Sequence, residues 1–426
     1  MAKYIYKRNI NFKNYVSKAD KKRILGVALD TSKTFHRVII FNFIGELVVK
    51  PFSIDTLQNG YDELKRQIDI AQRRIKAQRT YIALETPARY TENLVYHLRK
   101  DYKWVVFVPP YEVAQNREQR RLKGLKSDEI DCGSVADLML RGEFNMVCDE
   151  KSLYLRLRNL VYWREQKLIM RAMIKNQLHH RFEKIYPGMN TDYGETKKLF
   201  TKPYLSFLHI GLLNTQLTSK EIMECDNEIL LKQFNYNNHP IGPFQIKLLK
   251  KRIGEMLLPE ERVSKVEIES LAKDMELLRF YDVVIEKVEN EIVQYGSQTL
   301  AKYLFDQIAG VSNLSASVYV GVIGDPVKYK SAGHIYSYAG LNPKRRQSGK
   351  MNLTSIGISR IGNSLLRCLL FRIASQVILC NSFFKDYYHK LRVDKRKSWK
   401  ESKIIICRKL NNIFFALMRD KAEYNK

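Results

Sequence analysis

The chain has 426 residues, enough for two or three domains, because a single hydrophobic core stops growing at a few hundred residues. Its 73 lysine and arginine residues exceed the 45 acidic residues, and this net charge of +28 favours nucleic acid as the partner, although ribosomal and anionic-membrane proteins share it. The six cysteines form no Cys-x-x-Cys pair, and no apolar stretch has the length of a signal or membrane segment, so we expect buried thiols, a cytoplasmic protein and no membrane.

The first 150 residues alternate between strand-like and helical patterns. A basic extension over 1–23 precedes three apolar runs that predict antiparallel strands at 24–29, 36–43 and 46–54. The following elements are predicted as a helix at 57–77, a strand at 80–85, a helix at 91–100, a strand at 104–108 and a basic helical region at 111–141. The predicted order is therefore β-β-β-α-β-α-β-α.

Four acidic residues stand at the ends of these elements. Asp30 closes the first strand and Glu85 closes the fourth. In this strand order the two strands are neighbours at the sheet centre, so both carboxylates can meet at one edge. Asp128 and Asp131 share one helix face, where bare carboxylates repel unless a cation lies between them. Such oxygen ligands suit Mg²⁺, which can assist phosphodiester cleavage.

Each acid also has an ordinary structural interpretation. An aspartate that ends a strand is often a turn cap, and an aspartate pair on a charged helix is often solvated. Together the four favour a metal-dependent nuclease site, with Glu112, Glu118 and Glu129 as possible substitutes. The basic residues that precede the last two acids are predicted to contact nucleic acid: Arg117, Arg120, Arg121, Lys123 and Lys126.

The middle of the chain, 149–300, is predicted to be helical. Apolar residues recur at helical spacing over 152–186 and again over 260–295, which predicts two long amphipathic helices. They could pair with each other or with a second subunit, as a coiled coil or within an ordinary helical bundle. The region 192–259 between them shows mixed helix and loop and no chemical motif.

The last part, 301–426, contains a glycine turn between predicted helices and a serine in a basic loop. The segment 308–325 resembles a helix-hairpin-helix element whose turn amides could bind a phosphate. Ser348 precedes a glycine among cations, so its hydroxyl is either a nucleophile or a phosphate-contacting group. Ser331, Ser355, Ser359 and Ser364 are alternatives. The predicted nucleic-acid contacts here are Lys344, Arg345, Arg346, Lys350, Arg360 and Arg367.

Several short motifs, in this order, resemble the insertion-sequence one-hundred-and-ten (IS110) group of transposases, which includes Piv-type DNA invertases and bridge-RNA-guided recombinases. The motifs span nearly the whole chain: Gly26-Val-Ala-Leu-Asp30, Ala83-Leu-Glu85-Thr86, Lys126-Ser-Asp128-Glu-Ile-Asp131, Leu157-Arg-Asn-Leu with Tyr162-Trp-Arg-Glu, Ile308-Ala-Gly-Val with Ile323-Gly-Asp, Tyr338-Ala-Gly-Leu-Asn-Pro, Gln347-Ser-Gly and Gly362-Asn-Ser-Leu-Leu-Arg. Ser127 and Cys132 are mild departures, because the family usually has threonine and alanine there.

The resemblance implies a multidomain fold: an RNase H-like (RuvC-like) catalytic domain at 24–148, a coiled-coil region and a mainly helical C-terminal transposase domain. It places an Asp-Glu-Asp-Asp magnesium site on Asp30, Glu85, Asp128 and Asp131, and the nucleophile on Ser348. In that family the serine forms a covalent phosphoserine with DNA beside the metal site of another subunit. It further implies a homodimer or homotetramer in the bacterial cytoplasm, and a noncoding guide RNA that pairs with donor and target DNA.

Three hypotheses therefore stay open at this stage. The first is a transposase guided by a bridge RNA. The second is a DNA enzyme without RNA guidance. It is either a RuvC-like structure-specific DNA endonuclease, in which Ser348 only contacts phosphate, or a site-specific DNA invertase. The third is a nucleic-acid-binding protein without catalytic activity.

Overall fold

The computed structural model describes residues 5–8, 21–85, 91–119, 128–148, 152–188, 216–234, 242–343, 346–348, 351–353 and 357–424. The chain divides into two compact units. The first contains Met1–Leu155 and Gly324–Lys330, and the second contains Arg156–Ile323 and Ser331–Lys426. Most of the predicted helical middle and most of the predicted C-terminal domain thus share one unit.

The first unit is built on a seven-stranded mixed sheet. Its strands are β1 (Ile5–Arg8), β2 (Ile24–Thr31), β3 (Phe35–Asn42), β4 (Leu47–Asp55), β5 (Arg79–Glu85), β6 (Trp104–Val108) and β7 (Asn145–Cys148), in the spatial order β1-β7-β6-β5-β2-β3-β4. Strands β2, β3 and β4 are antiparallel, as predicted, and β5 is parallel to both β2 and β6. The sequence did not predict β1 and β7, which pair with each other.

Helices cover both faces of the central strands. α1 (Gln58–Ile75) and α2 (Glu92–Asp101) pack on one face, where Leu64 and Val95 join the core that contains Leu29. α3 (Pro110–Gln119) and α4 (Asp128–Leu140) pack on the other, where Cys132 joins the core that contains Ala28. Because both faces of the central strands are buried, their sequences are continuous apolar runs. The predicted basic helical region is thus two helices, and 120–127 between them lies outside the described residues.

Two long helices dominate the second unit, and they pair with each other in an antiparallel arrangement. They are α5 (Ser152–Ile185), most of which lies in this unit, and α9 (Glu261–Ser297). Arg164 pairs with Glu289 and Arg171 with Asp282, while Lys184 Nζ lies 2.8 Å from Glu267 Oε1. Ion pairs of this kind contribute only about 0–1 kcal/mol each to the free energy of unfolding. Their main effect is therefore to fix the register of α5 against α9. The prediction of two long helices is confirmed, and their pairing lies within one chain.

Three shorter helices pack against the C-terminal end of α5 and the N-terminal part of α9. They are α6 (Ser219–Glu224), α7 (Asn227–Phe234) and α8 (Pro243–Gly254), in the region for which the sequence offered no motif. Their apolar residues Ile222, Phe234 and Leu249 join Phe182 and Leu271 in one core. α6 begins with a capping box, in which the Thr218 and Glu221 side chains bind each other's backbone amides.

Among its described residues, the C-terminal part of this unit has five α-helices and one short hairpin. It contains α10 (Asn313–Ile323), α11 (Ala332–Tyr338), β8 (Arg346–Ser348), β9 (Met351–Leu353), α12 (Ser364–Cys380), α13 (Ser382–Arg392) and α14 (Trp399–Asp420). The sequence predicted a helix, a glycine turn and another helix over 308–325, and the structure has the glycine turn and the second helix, α10. A 3-10 helix, Leu300–Leu304, is followed by turns, and Gly310 has φ +94°. A Cβ atom at Gly310 would lie 2.8 Å from Val377 Cα, so close packing against α12 requires glycine in this turn.

The exposure of the cysteines differs from the expectation drawn from composition. Cys132 and Cys407 are buried, but Cys368 and Cys380 are exposed, which corrects the prediction that the thiols are buried. Both exposed cysteines lie on α12, which buries only one of its faces. Among the described helices, none is long and apolar enough to cross a membrane alone; α12 and α13 reach that length and composition only jointly, with a bend of 104°.

Candidate active site

Two of the predicted site residues end neighbouring parallel strands of the first unit. In the pairing of β2 with β5, Leu29 lies opposite Leu84, and Asp30 and Glu85 are the next residue of each strand. Side chains alternate along a strand, so both acids point to the face that carries Ala28 and Ala83. The structure therefore brings Asp30 and Glu85 to the same edge and the same face of the sheet, as the strand order predicted.

The first turn of α4 is held against that edge by Cys132. The Cys132 thiol donates a hydrogen bond to the Ala28 carbonyl oxygen, with an Sγ to O distance of 3.3 Å. Burial raises the pKa of this thiol to about 12, so it stays protonated at neutral pH. α4 begins at Asp128, and Asp131 directly precedes the anchoring cysteine. The side chain of Asp128 lies outside the described residues, so only its position in the helix is known.

Two of these acids have an arginine as a neighbour in the structure. Arg117 Nη1 of α3 lies 2.5 Å from Asp131 Oδ1, and both side chains are mostly buried. Sequence reasoning assigned Arg117 to nucleic acid, whereas in the structure it neutralises an acid of the candidate site. Arg37 lies directly opposite Asp30 in the pairing of β2 with β3, and its Nη1 donates to Ser53 Oγ at 2.9 Å. Sequence reasoning missed Arg37, because the pairing of Asp30 with Arg37 is known only from the strand register in the structure.

The donor set suits a hard divalent cation, because carboxylate oxygens are the ligands that Mg²⁺ prefers. Among the side chains that the structure describes, no three acidic, histidine or cysteine residues form a group that could hold a metal ion. Asp128, the fourth predicted ligand, is not among them. The substitutes Glu112 and Glu118 lie on α3, while Glu129 follows Asp128 on α4. Asp131 shares its carboxylate with Arg117, so a cation bound there would compete with the guanidinium.

Ser348 lies in the second unit, at the end of β8, the first strand of a short hairpin. Arg346 pairs with Leu353, Gln347 with Asn352 and Ser348 with Met351, so Ser348 is the last strand residue before the tip. The backbone is described here but the side chains of the hairpin are not. Several predicted contacts lie outside the described residues: Arg120, Arg121, Lys123, Lys126, Lys344, Arg345 and Lys350.

Three of the sequence motifs meet at the start of α12. Asn363 caps α12 through Leu366 N, and its Nδ2 donates to the hydroxyls of Tyr162 and Tyr338 at 2.8 and 3.1 Å. Gly362 has φ +141°, and a Cβ atom there would lie 2.4 Å from the Tyr338 carbonyl oxygen. These contacts explain why glycine and asparagine stand at 362 and 363.

The two predicted nucleic-acid contacts that follow the hairpin have structural roles as well. Arg367 Nη1 donates to the carbonyl oxygens of Ala339 and Arg360 at 2.9 and 3.3 Å, and so joins the two chain segments that flank the hairpin. Arg360 is exposed with φ +57°, a conformation that these bonds help to hold. The contact of both residues with nucleic acid stays a prediction.

The alternative serines occupy ordinary positions where they are described. Ser331 Oγ lies 2.9 Å from His334 Nδ1, and Ser359 Oγ donates to the Gly340 carbonyl oxygen at 3.4 Å. Ser364 is exposed in the first turn of α12, while Ser355 lies outside the described residues. None of the three described serines lies on the hairpin that carries Ser348.

Comparison with known proteins relates both units to transposases. A family model for DEDD transposases of the IS110 type, described as "Transposase", matches residues 27–187 and so includes all four acids. A second, described as "Transposase IS116/IS110/IS902 family", matches residues 302–389 and includes Ser348.

Individual relatives agree with these matches. The "Insertion element IS116 uncharacterized 44.8 kDa protein" of Streptomyces clavuligerus is 23% identical over 406 residues, which cover 93% of this chain and 94% of the relative. The "Pilin gene-inverting protein" of Moraxella lacunata is 29% identical over 47% of this chain and 60% of its own length, and that of Moraxella bovis is 34% identical over 29% and 38%. With its motifs, its two family matches and its full-length similarity to an insertion-element protein, the chain belongs to the IS110/IS116/IS902 family of transposases.

Proposed function

We propose that this transposase cuts and rejoins DNA with a divalent metal site at Asp30, Glu85, Asp128 and Asp131 and a nucleophilic serine at Ser348. The observation that carries the proposal is the register of β2 and β5, which brings Asp30 and Glu85 to one edge. The bond from Cys132 to Ala28 holds the first turn of α4 against the same strand. Mg²⁺ is the cation that we propose, because hard oxygen ligands prefer it.

The topology of the first unit supports an RNase H-like, RuvC-like interpretation. Three antiparallel strands are followed by two strands parallel to the first, with helices on both faces. The proposed acids stand at the ends of the first and fourth of these strands and at the start of α4. These are positions from which carboxylates can share a metal ion without disturbing either apolar core.

The proposed chemistry is two successive transfers of one phosphoryl group. The Ser348 hydroxyl loses its proton and its oxygen attacks phosphorus; the bond from phosphorus to the leaving DNA oxygen breaks, and that oxygen takes up a proton. A hydroxyl of a second DNA strand then attacks the phosphoserine, and the serine leaves. A divalent ion, when bound, would polarise a phosphate oxygen and stabilise the leaving oxygen. The basic residues Arg346 and Lys350 would offset the phosphate charge.

We propose donor and target DNA as substrates and a noncoding RNA of the element as the guide. In other RNA-guided enzymes base pairing selects the sequence, while the protein recognises backbone and shape. The charge of +28 suits a protein that holds several strands. A second candidate, site-specific DNA inversion without RNA, is favoured by the similarity to the Moraxella pilin gene-inverting proteins.

The direct test is cleavage and joining of element-end DNA in vitro. We expect joined products with Mg²⁺ and RNA from the noncoding flank of the element, and none when the metal is chelated with EDTA. Binding in a gel-shift assay should survive chelation, because it depends on lysine and arginine. Equal product with and without the RNA would favour the invertase. Undiminished cleavage in EDTA would contradict the metal site.

Exposed apolar residues on the long helices support a homodimer or homotetramer. Ile169 and Met173 of α5 and Phe280 and Val283 of α9 are each more than half exposed. They lie at one level of the helix pair, where Arg171 contacts Asp282. Several exposed large apolar side chains at one level of a helix pair are typical of a protein interface.

Replacing Phe280 and Val283 together by glutamate should therefore reduce the molar mass in light scattering to that of one chain. Leu257→Glu is the matched control, because Leu257 is exposed but lies in the loop that follows α8. The same mass for the double variant and the unmodified protein would exclude this face as the interface.

A further inference from the structure

Helix α13 presents aromatic rings to solvent that its own packing does not need. Phe384 and Leu391 anchor the helix, with 0% and 2% of their surface exposed. Phe383 is 50% exposed, and Tyr387, one turn further along the helix, is half-buried beside it. The two rings are nearly parallel, at 12°, with centroids 6.4 Å apart. We call this pair of rings the α13 platform.

A lysine of the neighbouring helix contacts both rings of the platform. Lys409 Nζ of α14 lies 4.2 Å from the Phe383 centroid and 4.5 Å from the Tyr387 centroid. Lys390 follows Tyr387 by three residues, so it lies near the same face of α13. An apolar surface is thus combined with positive charge.

The sequence around the platform is strongly basic and exposed. Eight lysine and arginine residues and three acidic residues lie between 385 and 403, and every residue from 392 to 400 is exposed. The cations are Lys385, Lys390, Arg392, Lys395, Arg396, Lys397, Lys400 and Lys403. Their mutual repulsion favours binding of a polyanion.

A second exposed ring extends the pattern along α14. Trp399, in the first turn, is 46% exposed, and the Nζ atoms of Lys400 and Lys403 each lie 5.3 Å from its centroid. Lys403 also donates to Ser375 Oγ at 3.0 Å, which holds it beside the ring. Trp399 and Lys409 are ten residues apart, or about 15 Å of helix. Aromatic rings interleaved with lysines therefore recur over a distance of several nucleotides.

We propose that α13 and the first half of α14 bind single-stranded nucleic acid, with bases stacked on Phe383, Tyr387 and Trp399 and phosphates beside the lysines. Surfaces that bind single strands combine these two features, whereas the bases of a duplex are already stacked. Protein interfaces are depleted of lysine. A membrane-surface helix inserts its apolar face into lipid, but the apolar face of α13 is packed inside the unit. This surface lies outside the proposed catalytic residues, and its binding does not require their activity.

The test measures the affinity of the full-length protein for labelled oligonucleotides by fluorescence anisotropy. Oligo-dT, oligo-U and a duplex of equal length are compared for the unmodified protein and for Phe383→Ala with Tyr387→Ala. Stacking contributes about five- to hundredfold per base, so we expect at least tenfold weaker binding of single strands and little change for the duplex. Tighter binding of oligo-dT or of oligo-U shows whether the natural ligand is DNA or RNA, and either preference supports single-strand binding by this surface.

Matched variants separate stacking from folding. Phe383→Trp with Tyr387→Trp keeps flat rings and should retain affinity for single strands. Phe244→Ala, an exposed ring on α8, should have no effect. Lys409→Gln should lower the slope of log affinity against log salt by about 0.7, as expected for one lost phosphate contact with a single strand.

Three results would overturn the proposal. The first is unchanged single-strand affinity in the double alanine variant, with circular dichroism showing that it is folded. The second is an equal loss for duplex and single strand. The third is that the double alanine variant loses binding to phosphatidylserine vesicles but binds oligonucleotides as well as the unmodified protein does. That result would identify the surface as a membrane-binding one. If the alanine variant does not fold, ultraviolet crosslinking of 5-iodouracil oligonucleotides to the unmodified protein decides, and absence of crosslinks to 382–409 contradicts the proposal.

Discussion

Replacing Ser348 by alanine is expected to abolish a covalent adduct between protein and DNA, with a fall in strand joining of at least about a thousandfold, as for loss of other catalytic nucleophiles. The reason is chemical, because alanine has no oxygen to form the phosphoserine. The assay incubates protein, element RNA and end-labelled DNA with Mg²⁺, denatures the mixture and separates adduct from free DNA. Affinity for DNA should stay within about twofold, because one hydroxyl contributes little beside many phosphate contacts.

The structure supplies a control for this experiment. Ser364 is exposed in the first turn of α12, within the motif Gly362-Asn-Ser-Leu-Leu-Arg. Ser364→Ala should form the adduct at the normal rate. If the adduct persists in Ser348→Ala, another residue is the nucleophile. If the unmodified protein yields free nicked DNA and no adduct, the hydrolytic endonuclease hypothesis is favoured and Ser348 contacts phosphate only.

The parts of the fold that local pattern decides could be predicted from the sequence. Continuous apolar runs indicated β2, β5 and β6, because these central strands are buried on both faces. Helical spacing indicated α5 and α9 over more than eight turns each. The meeting of Asp30 and Glu85 followed from strand order alone, since neighbouring parallel strands end at one edge.

The parts that depend on tertiary packing could not be predicted. β1 and β7 have four residues each, too few for a period to be recognised; β7 pairs with β6, and β1 pairs with β7. The ion pair of Arg117 with Asp131 joins two helices whose relative placement no local pattern specifies. The glycine turn in 308–325 could be predicted, but its close packing against α12, which requires a positive φ at Gly310, could not.

The α13 platform is a third case, because its aromatic and lysine residues have a regular spacing in the sequence that belongs to none of the recognised motifs. Phe383 and Tyr387 are spaced by four, and so are Trp399 and Lys403, within a segment rich in lysine. Spacing alone could not show which rings are buried, since Phe384 next to Phe383 is fully covered. Burial therefore distinguished the packing residues from those available to a ligand.

Replacing Asp30 by asparagine, together with Glu85 by glutamine, is expected to reduce metal-dependent cleavage by at least about a hundredfold. A catalytic metal ion supplies several kcal/mol of transition-state stabilisation, and each 1.4 kcal/mol changes the rate tenfold. Both substitutions preserve side-chain size at partly buried strand ends, so the thermal midpoint should change little. Asp62→Asn is the matched control, because this exposed acid lies on α1, which covers the opposite face of the sheet. Normal cleavage by the double variant would place the metal elsewhere.

The two sets of variants should also differ in ways that a common loss of folding would not produce. Ser348→Ala should bind Mn²⁺ in calorimetry like the unmodified protein, whereas Asp30→Asn with Glu85→Gln should not. If the metal site of one subunit acts on a phosphate held by the serine of another, mixing the two inactive proteins should restore some adduct. The restored adduct should carry DNA only on the chain that keeps Ser348, which mass spectrometry can identify. Adduct on neither chain after mixing, in oligomers shown to exchange subunits, would mean that both sites must belong to one chain.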